Sequence, residues 1–453
     1  MSKKVVIIGG GASGLMAAIT AAHEGACVTI IEHKDKVGKK ILMTGNGKCN
    51  LTNMSDIHGK YYGDDINRIY AILEKFTADD TRAFFQQLGL YTREKRDGGV
   101  YPVTEQAASV LDALKTECKH CGVQILTDTE VLDVLPEKEG GVVLIETAIK
   151  EMPSVVKAKK GNASKKPSTK MVVVGTKKNK LYYDSLIIAA GGQAAAVSGS
   201  DGSGYRLAKK LGHSLIKPLP ALVQLKCEGD YFKLIAGVRA QAALSLYVDG
   251  ELQVKEDGEL QLTDYGISGI PVFQFSRIVS RVIYEQQVGL RHAEKDSISV
   301  KIDFLPYMSQ SDMEELIKTR KCFAHKTVEE FLGGLVHKKL AVLICQMNNW
   351  YESICVERLA DDELMVCLNQ LKNFMVIVTG TNSYDSAQVC CGGIPLAEIE
   401  DSMESVKCPH VYFAGEILDC DGICGGYNLQ WAWATGRIAG EYAAIGESVK
   451  NHV

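Results

Sequence analysis

The sequence predicts an α/β protein: a sheet-and-helix domain that opens the chain and is rejoined by its last stretch, interrupted by a small β domain carrying a helical insert. Three observations predict it. Residues 4–8 and 27–32 are short apolar strands flanking an Ala-rich helical pattern at 12–24, which makes one βαβ unit. Residues 198–262 turn to short strands punctuated by Gly and Pro, as in 242–248 and 259–262; 267–346 then become helical, most clearly at 272–284, 311–320 and 328–347. Strand-like runs return at 374–378 and 411–414, and a helix over 429–445 completes the pattern.

The 453 residues exceed one ordinary core and suggest two or three domains. Hydrophobic residues make up 46% and charged residues 23%, with a net charge of −4, so nucleic acid is not the default partner and a small-molecule substrate is favoured. Glycines at 9–11 cut the apolar run after Ile8, well short of a signal peptide or membrane span, and a cytoplasmic location is expected. The 14 cysteines are scattered, as reduced thiols rather than a disulfide framework. Cys118 and Cys121 form a lone C-x-x-C without the second pair or histidines of a zinc site, so no metal is expected.

Residues 123–135, 171–175 and 186–190 also read as strands and are expected to extend the first sheet. Between them, 150–170 carries Lys157, Lys159, Lys160, Lys165 and Lys166 among small residues. It reads as a solvated excursion rather than an RNA-binding arm, because no aromatic residues interleave the lysines.

The strongest local motif is Gly9-Gly10-Gly11-Ala12-Ser13-Gly14, a G-x-G-x-x-G where the first strand meets the first helix. Gly9 permits the tight turn, Gly11 lets backbone N–H groups approach a pyrophosphate at the helix N-terminus, and Gly14 lets helix and strand pack closely. Glu32 ends the second strand, placed to accept from a ribose hydroxyl. The set predicts a Rossmann-type dinucleotide site. FAD and NAD share this motif, and three further segments favour FAD. One runs through Lys40, Thr44, Gly45, Gly47, Lys48, Cys49 and Asn50, adding glycines, cations and amides past the ribose. Another ends on Ala190, Gly191 and Gly192, and resembles the strand-end segment that lies against the cofactor in glutathione-reductase-type flavoproteins. The third carries Gly415, Glu416 and Asp419, then Gly426, Tyr427, Asn428 and Leu429 at the opening of the last helix.

These segments, with Gly99-Val100-Tyr101-Pro102, Gly202-Ser203-Gly204-Tyr205 and Tyr265-Gly266-Ile267-Ser268-Gly269, make nearly the whole chain resemble the BaiN-like or aminoacetone-oxidase-like FAD-dependent oxidoreductases. The resemblance implies an FAD-binding domain of residues 1–195 and 376–453, a β-barrel-like domain of 196–266 and 347–375, and a helical insert of 267–346. It adds Val131 to the cofactor set and offers Tyr101 and Tyr265 as substrate-side hydroxyls. The sequence departs from the family at Lys48, where Arg is usual, at Cys390-Cys391, and at Ile270 before Pro271.

The catalytic residue stays open. Tyr427 and Asn428 either position a flavin edge or substrate carbonyl, or cap the last helix. No second cysteine accompanies Cys49, which excludes a paired dithiol and leaves a lone sulfenic-acid cysteine as the alternative to a structural thiol. Cys390, Cys391, Cys420 and Cys424 read as buried structural thiols. No Ser-His-Asp order stands out, so hydrolysis has no support. Gly202-Ser203-Gly204 lacks a preceding strand and meets Leu207 at the third position, so NADH or NADPH would dock transiently as electron donor. The resemblance implies C=C reduction of a steroid or bile-acid enone with NAD(P)H, then amine oxidation with oxygen, then reduction of uracil in ribosomal RNA. A non-catalytic flavin-binding redox sensor is the contrasting class.

Overall fold

The computed structural model describes residues 2–151, 172–292, 297–350 and 354–446. Residues 152–170, the bulk of the lysine-rich excursion, lie outside them. The chain divides into two units, 1–218 with 392–453, and 219–391.

The first unit is organised by a five-stranded parallel sheet. Its middle strand is β1 (Lys4–Ile8); helix α1 (Ala12–His23) returns the chain to β2 (Cys27–Ile31) on one side. Gln124–Leu126 extends the sheet beyond β2, and Ser185–Ile188 then Val411–Phe413 extend it beyond β1. Successive residues from Val5 to Ile8 point to opposite faces yet all four are buried, as a parallel strand covered on both faces requires. The helix Tyr427–Ile445 crosses α1 where small residues meet. A Cβ on Gly436 would come within 2.5 Å of Ser13 O, and one on Gly440 within 2.5 Å of Ala17 O.

Only two of the strand-like stretches expected to extend this sheet do so. Residues 129–137 and 172–183 instead sandwich Gly140–Glu151 in a separate antiparallel meander. Alternation with period two marks a strand but not its partner, and here short connections to a neighbouring hairpin win over the parallel sheet.

The second unit closes a six-stranded barrel, ordered Leu225–Cys227, Gly266–Ser268, Glu251–Leu262, Arg239–Val248, Ile298–Asp303 and Phe374–Thr381. The sequence boundaries are displaced accordingly. Ile298–Asp303 falls inside the stretch 267–346 read as helical, yet its inward residues Ile298, Val300 and Ile302 are buried in the barrel core. Phe374–Thr381, assigned from residue 376 to the cofactor domain, pairs with Ile298–Asp303 and Leu225–Cys227. Asp361–Lys372 is a helix within the segment read as barrel. Ser203–Lys210 is a helix of the first unit, not part of the β domain. The helices Ile270–Gln287, Gln310–Lys318, Val328–Leu332 and Lys338–Met347 match the helical pattern. Among the described residues no helix is long and apolar enough to cross a membrane.

Candidate functional site

The three motif glycines have three different surroundings. Gly9, at φ +105°, lies so close to the neighbouring strand that a Cβ would run into Ala189 O; a Cβ on Gly14 would run into Gly9 O. Gly11 is the opposite case, with nothing within 4 Å of where its Cβ would stand. It caps α1 without a side-chain acceptor, which leaves the amides of Ala12, Ser13 and Gly14 in the first turn facing an open approach. Glu32 reaches under this turn: Oε2 accepts from Gly10 N at 3.0 Å and Oε1 from Lys34 N at 2.8 Å. Val131 lies two residues after Thr129 in the same strand, and the N–H of Thr129 donates to Glu32 O near the end of β2.

Further along, Lys40 Nζ pairs with Glu416 Oε2 at 2.5 Å and donates to Ala194 O. Glu416 also abuts Gly192, where a Cβ would come within 2.7 Å of its Oε1, so the Ala190–Gly191–Gly192 strand end and the Gly415–Glu416 turn meet at this ion pair. Gly415 sits against Ser13 and is held by Thr435 Oγ1, which accepts from its N–H, and by Trp431 Nε1, which donates to its carbonyl.

Thr44, Gly45, Gly47, Lys48, Cys49 and Asn50 form a tight turn in which Asn46 (φ +54°) and Cys49 (φ +58°) adopt the left-handed conformation. That strain, in two non-glycine residues of one turn, is typical of a ligand-shaped loop. Gly45 brings the ring of Tyr101 and the backbone of Asn50 together, and Gly426, at the start of the last helix, packs on Thr52 O and Asn50 Oδ1. Cys49 is fully buried and its thiol is pushed up to about 11, which keeps it protonated and unreactive at neutral pH.

The catalytic candidates separate. Asn428 is committed to the backbone of Gly422, accepting from its N–H at 2.9 Å and donating to its carbonyl at 2.7 Å. It is therefore a positioning residue for the turn before the last helix. Tyr427 is buried edge-on against Tyr61, 5.6 Å between centroids. Tyr101 is half-buried, with Lys95 Nζ 4.0 Å from its ring centroid, and burial raises its hydroxyl above the usual tyrosine range. Leu429 lies in the first turn of the last helix. Tyr265 belongs to the barrel unit, where its hydroxyl accepts from Asn382.

Sequence reading named Lys48 and Asp419 but missed their partners Glu105, Arg93, Lys95 and Asp64. Lys48 points to Glu105, which also pairs with Arg93 and Lys95; these cations hold its carboxyl down at about 2. Asp419 is wholly buried. Its Oδ2 accepts from Asp64 N at 2.8 Å, and burial, with Asp64 and Asp421 nearby, pushes its carboxyl up to about 6. A row Ser405–His213–Glu398 does exist, with 2.7 Å and 2.9 Å links. Ser405 is buried, however, and its Oγ also accepts from Lys407 N and Cys408 N, so it ties a turn and presents no nucleophile.

A family model described as the HI0933-like protein Rossmann domain matches residues 3–442. The chain belongs to the HI0933-like family. A relative described as 3-dehydro-bile acid delta(4,6)-reductase, from Clostridium scindens, is 38% identical over 446 residues, covering 97% of this chain and 99% of that protein. Two described as ribosomal RNA dihydrouridine synthase are more distant: one from Haemophilus influenzae at 27% identity, covering 95% and 96%, and one from Escherichia coli at 26%, covering 95% of each.

This member of the HI0933-like family is an FAD-dependent oxidoreductase on a Rossmann-type fold. The residues fit FAD. Besides the open approach at Gly11, three buried polar atoms around these segments have no partner among the described residues: His33 Nε2, near Glu32 and Gly199; Asn50 Oδ1, beside Gly426; and Asp419 Oδ1. Buried polar atoms without partners are costly, and a dinucleotide rich in hydroxyl, amide and phosphate groups offers each of them one.

Proposed function

We propose that the protein reduces an activated C=C bond, conjugated to a carbonyl as in a steroid or bile-acid enone, with electrons from NADH or NADPH. The observation that carries this reading is the 38% identity, over almost all of both chains, to the protein described as a 3-dehydro-bile acid delta(4,6)-reductase. The ribosomal RNA dihydrouridine synthases support the same bond chemistry, because dihydrouridine is uridine with its carbonyl-conjugated C=C bond saturated.

When bound, FAD supplies the hydride chemistry. The chain's part is to bind, orient and protonate. The first-turn amides of α1 take the pyrophosphate at the positive end of the helix, and Glu32 takes the ribose hydroxyls. The N-terminus of Tyr427–Ile445 sets a second positive helix end beside Asn50, which would favour negative charge on a cofactor held there. Saturating an enone requires a hydride at the β carbon and a proton at the α carbon. Tyr101 is the candidate proton donor: its hydroxyl is held protonated through the neutral range, it is half-buried rather than sealed, and it borders the Gly45–Asn50 turn.

The test is anaerobic mixing with each nicotinamide while flavin absorbance is followed, then a second mix with enones, bile-acid dienones, aminoketones, uridine-containing RNA or oxygen. NADH or NADPH bleaching followed by fastest reoxidation with an enone is the expected result. Reoxidation fastest with ribosomal RNA moves the substrate to uridine. Failure of both nicotinamides, with bleaching by a small amine and prompt reoxidation by oxygen, overturns the reductase reading in favour of an amine oxidase.

A further inference from the structure

The Cys118-x-x-Cys121 pair does not act as a pair. Cys118 is wholly buried in the core, whereas Cys121, the residue that ends the helix Ala107–His120, lies at the surface side of the same turn. It meets two residues that spacing alone does not reveal. Glu117 stands one helical turn earlier on the same face, and His23, the last residue of α1, arrives from 94 positions away. A single oxygen, Glu117 Oε1, lies 2.8 Å from His23 Nε2 and 3.3 Å from Cys121 Sγ, and the three donor atoms all fall within 4.8 Å of one another.

We propose that His23, Glu117 and Cys121 form a surface site for one zinc-type divalent cation, which ties the C-terminal end of α1 to that of Ala107–His120.

The donor set selects the metal class. Zinc bonds of about 2.0–2.3 Å to N, O and S put neighbouring ligand atoms of a tetrahedron some 3.3–3.8 Å apart, so the observed separations need only small side-chain rotations to reach it. A sulfur with an imidazole disfavours magnesium and calcium, which take oxygen ligands, and favours zinc and its neighbours. Three protein ligands leave the fourth position to water. The carboxylate now takes both donors on one oxygen; a cation entering between the three atoms displaces the thiol proton to solvent and leaves the imidazole as its Nδ1–H tautomer. No electron moves. The location favours positive charge, because both helices present the carbonyl end of their dipoles there. Access is open, with the His23 side chain 44% exposed and that of Glu117 21%.

The test uses the full flavin-loaded chain, stripped with a chelator under reducing conditions and titrated with cobalt(II). One equivalent should develop the long-wavelength bands of a tetrahedral thiolate site, where flavin does not absorb, and zinc should displace it. Cys121→Ser and His23→Gln should each weaken binding at least tenfold while flavin content stays unchanged, which reports that both variants fold. Cys27→Ser, which removes an exposed thiol elsewhere, should bind as wild type does. Zinc should raise the melting temperature of the wild type and not that of Cys121→Ser. No bands at stoichiometric cobalt, or bands that survive Cys121→Ser, overturn the proposal.

Discussion

Replacing Gly11 with valine separates a cofactor cradle from a structural turn. The backbone at Gly11 is extended (φ −82°, ψ −164°), a region that valine adopts readily, and no atom lies within 4 Å of the new Cβ. The flavin-free fold should therefore change by no more than about 0.5 kcal/mol, as at an open surface position. On the proposed cofactor placement, the added methyl groups would stand where pyrophosphate oxygens approach the first-turn amides. Losing about two charge-assisted hydrogen bonds at ~1.5–3 kcal/mol each weakens FAD binding by ~3–6 kcal/mol, or about 10²–10⁴-fold. Gly14→Ala is the contrasting change, since its Cβ collides with the backbone carbonyl of Gly9 and should destabilise the flavin-free protein itself. Flavin retention after gel filtration, FAD titration of the stripped protein and its thermal melt read the two effects apart. A folded Gly11→Val protein with full flavin occupancy, or one whose flavin-free form has lost its melting transition, refutes the reasoning.

Three further outcomes follow from the same geometry. Trp433 is fully buried with Nε1 donating to Leu51 O at 2.9 Å, so Trp433→Phe should cost about 1–3 kcal/mol in denaturant unfolding by orphaning that carbonyl. The Asp419 carboxyl titrates at about 6 in the folded protein against 3.8 ordinarily, so it binds its proton more tightly when folded; its stabilising contribution is complete below pH 3.8 and is lost as pH rises through 6. Asp419→Asn, which keeps an uncharged acceptor, should gain stability over the flavin-free wild type by up to ~3 kcal/mol between about pH 4 and about pH 7, and a constant gap across that range would contradict this. Tyr101→Phe should leave bleaching by NAD(P)H within about twofold while slowing enone-dependent reoxidation ~10²-fold or more, a split that stopped-flow traces resolve.

The parts of this protein legible in the sequence are those whose physics is local. A strand, a glycine turn and a helix are contiguous, so Gly9, Gly11, Gly14 and Glu32 declare their arrangement by spacing alone. The short run at 411–414 and the last helix were readable for the same reason. What failed needed a partner. Ile298–Asp303 alternates buried and half-buried residues clearly, yet flanking helical patterns concealed it, and only closure of the barrel explains it. Residues 129–137 and 172–183 were recognisable as strands, whereas their pairing in a separate meander depends on hairpin geometry. In the site, the burial of Asp419 beside Asp64 joins distant segments, and outside it so does the clasp of His213 between Ser405 and Glu398; the commitment of Asn428 to Gly422 spans six residues but is one of two side-chain roles that spacing leaves open. Composition and spacing carry no record of such meetings.

The edge strand Val411–Phe413 and the helix Tyr427–Ile445 have a consequence for how the protein is made. During synthesis the entire barrel unit leaves the ribosome before either of them, and it contains a complete hydrophobic core. The turn at Gly11 emerges before the barrel unit but must wait for more than four hundred residues before Gly415, Gly436 and Gly440 close against Ser13 and Ala17. Such long-range closure is slow, because the intervening chain must be brought together before any contact rewards it. A nascent chain stalled before residue 411 would thus hold a folded barrel and an unfinished cofactor domain, and flavin capture becomes the closing event of biogenesis rather than its template.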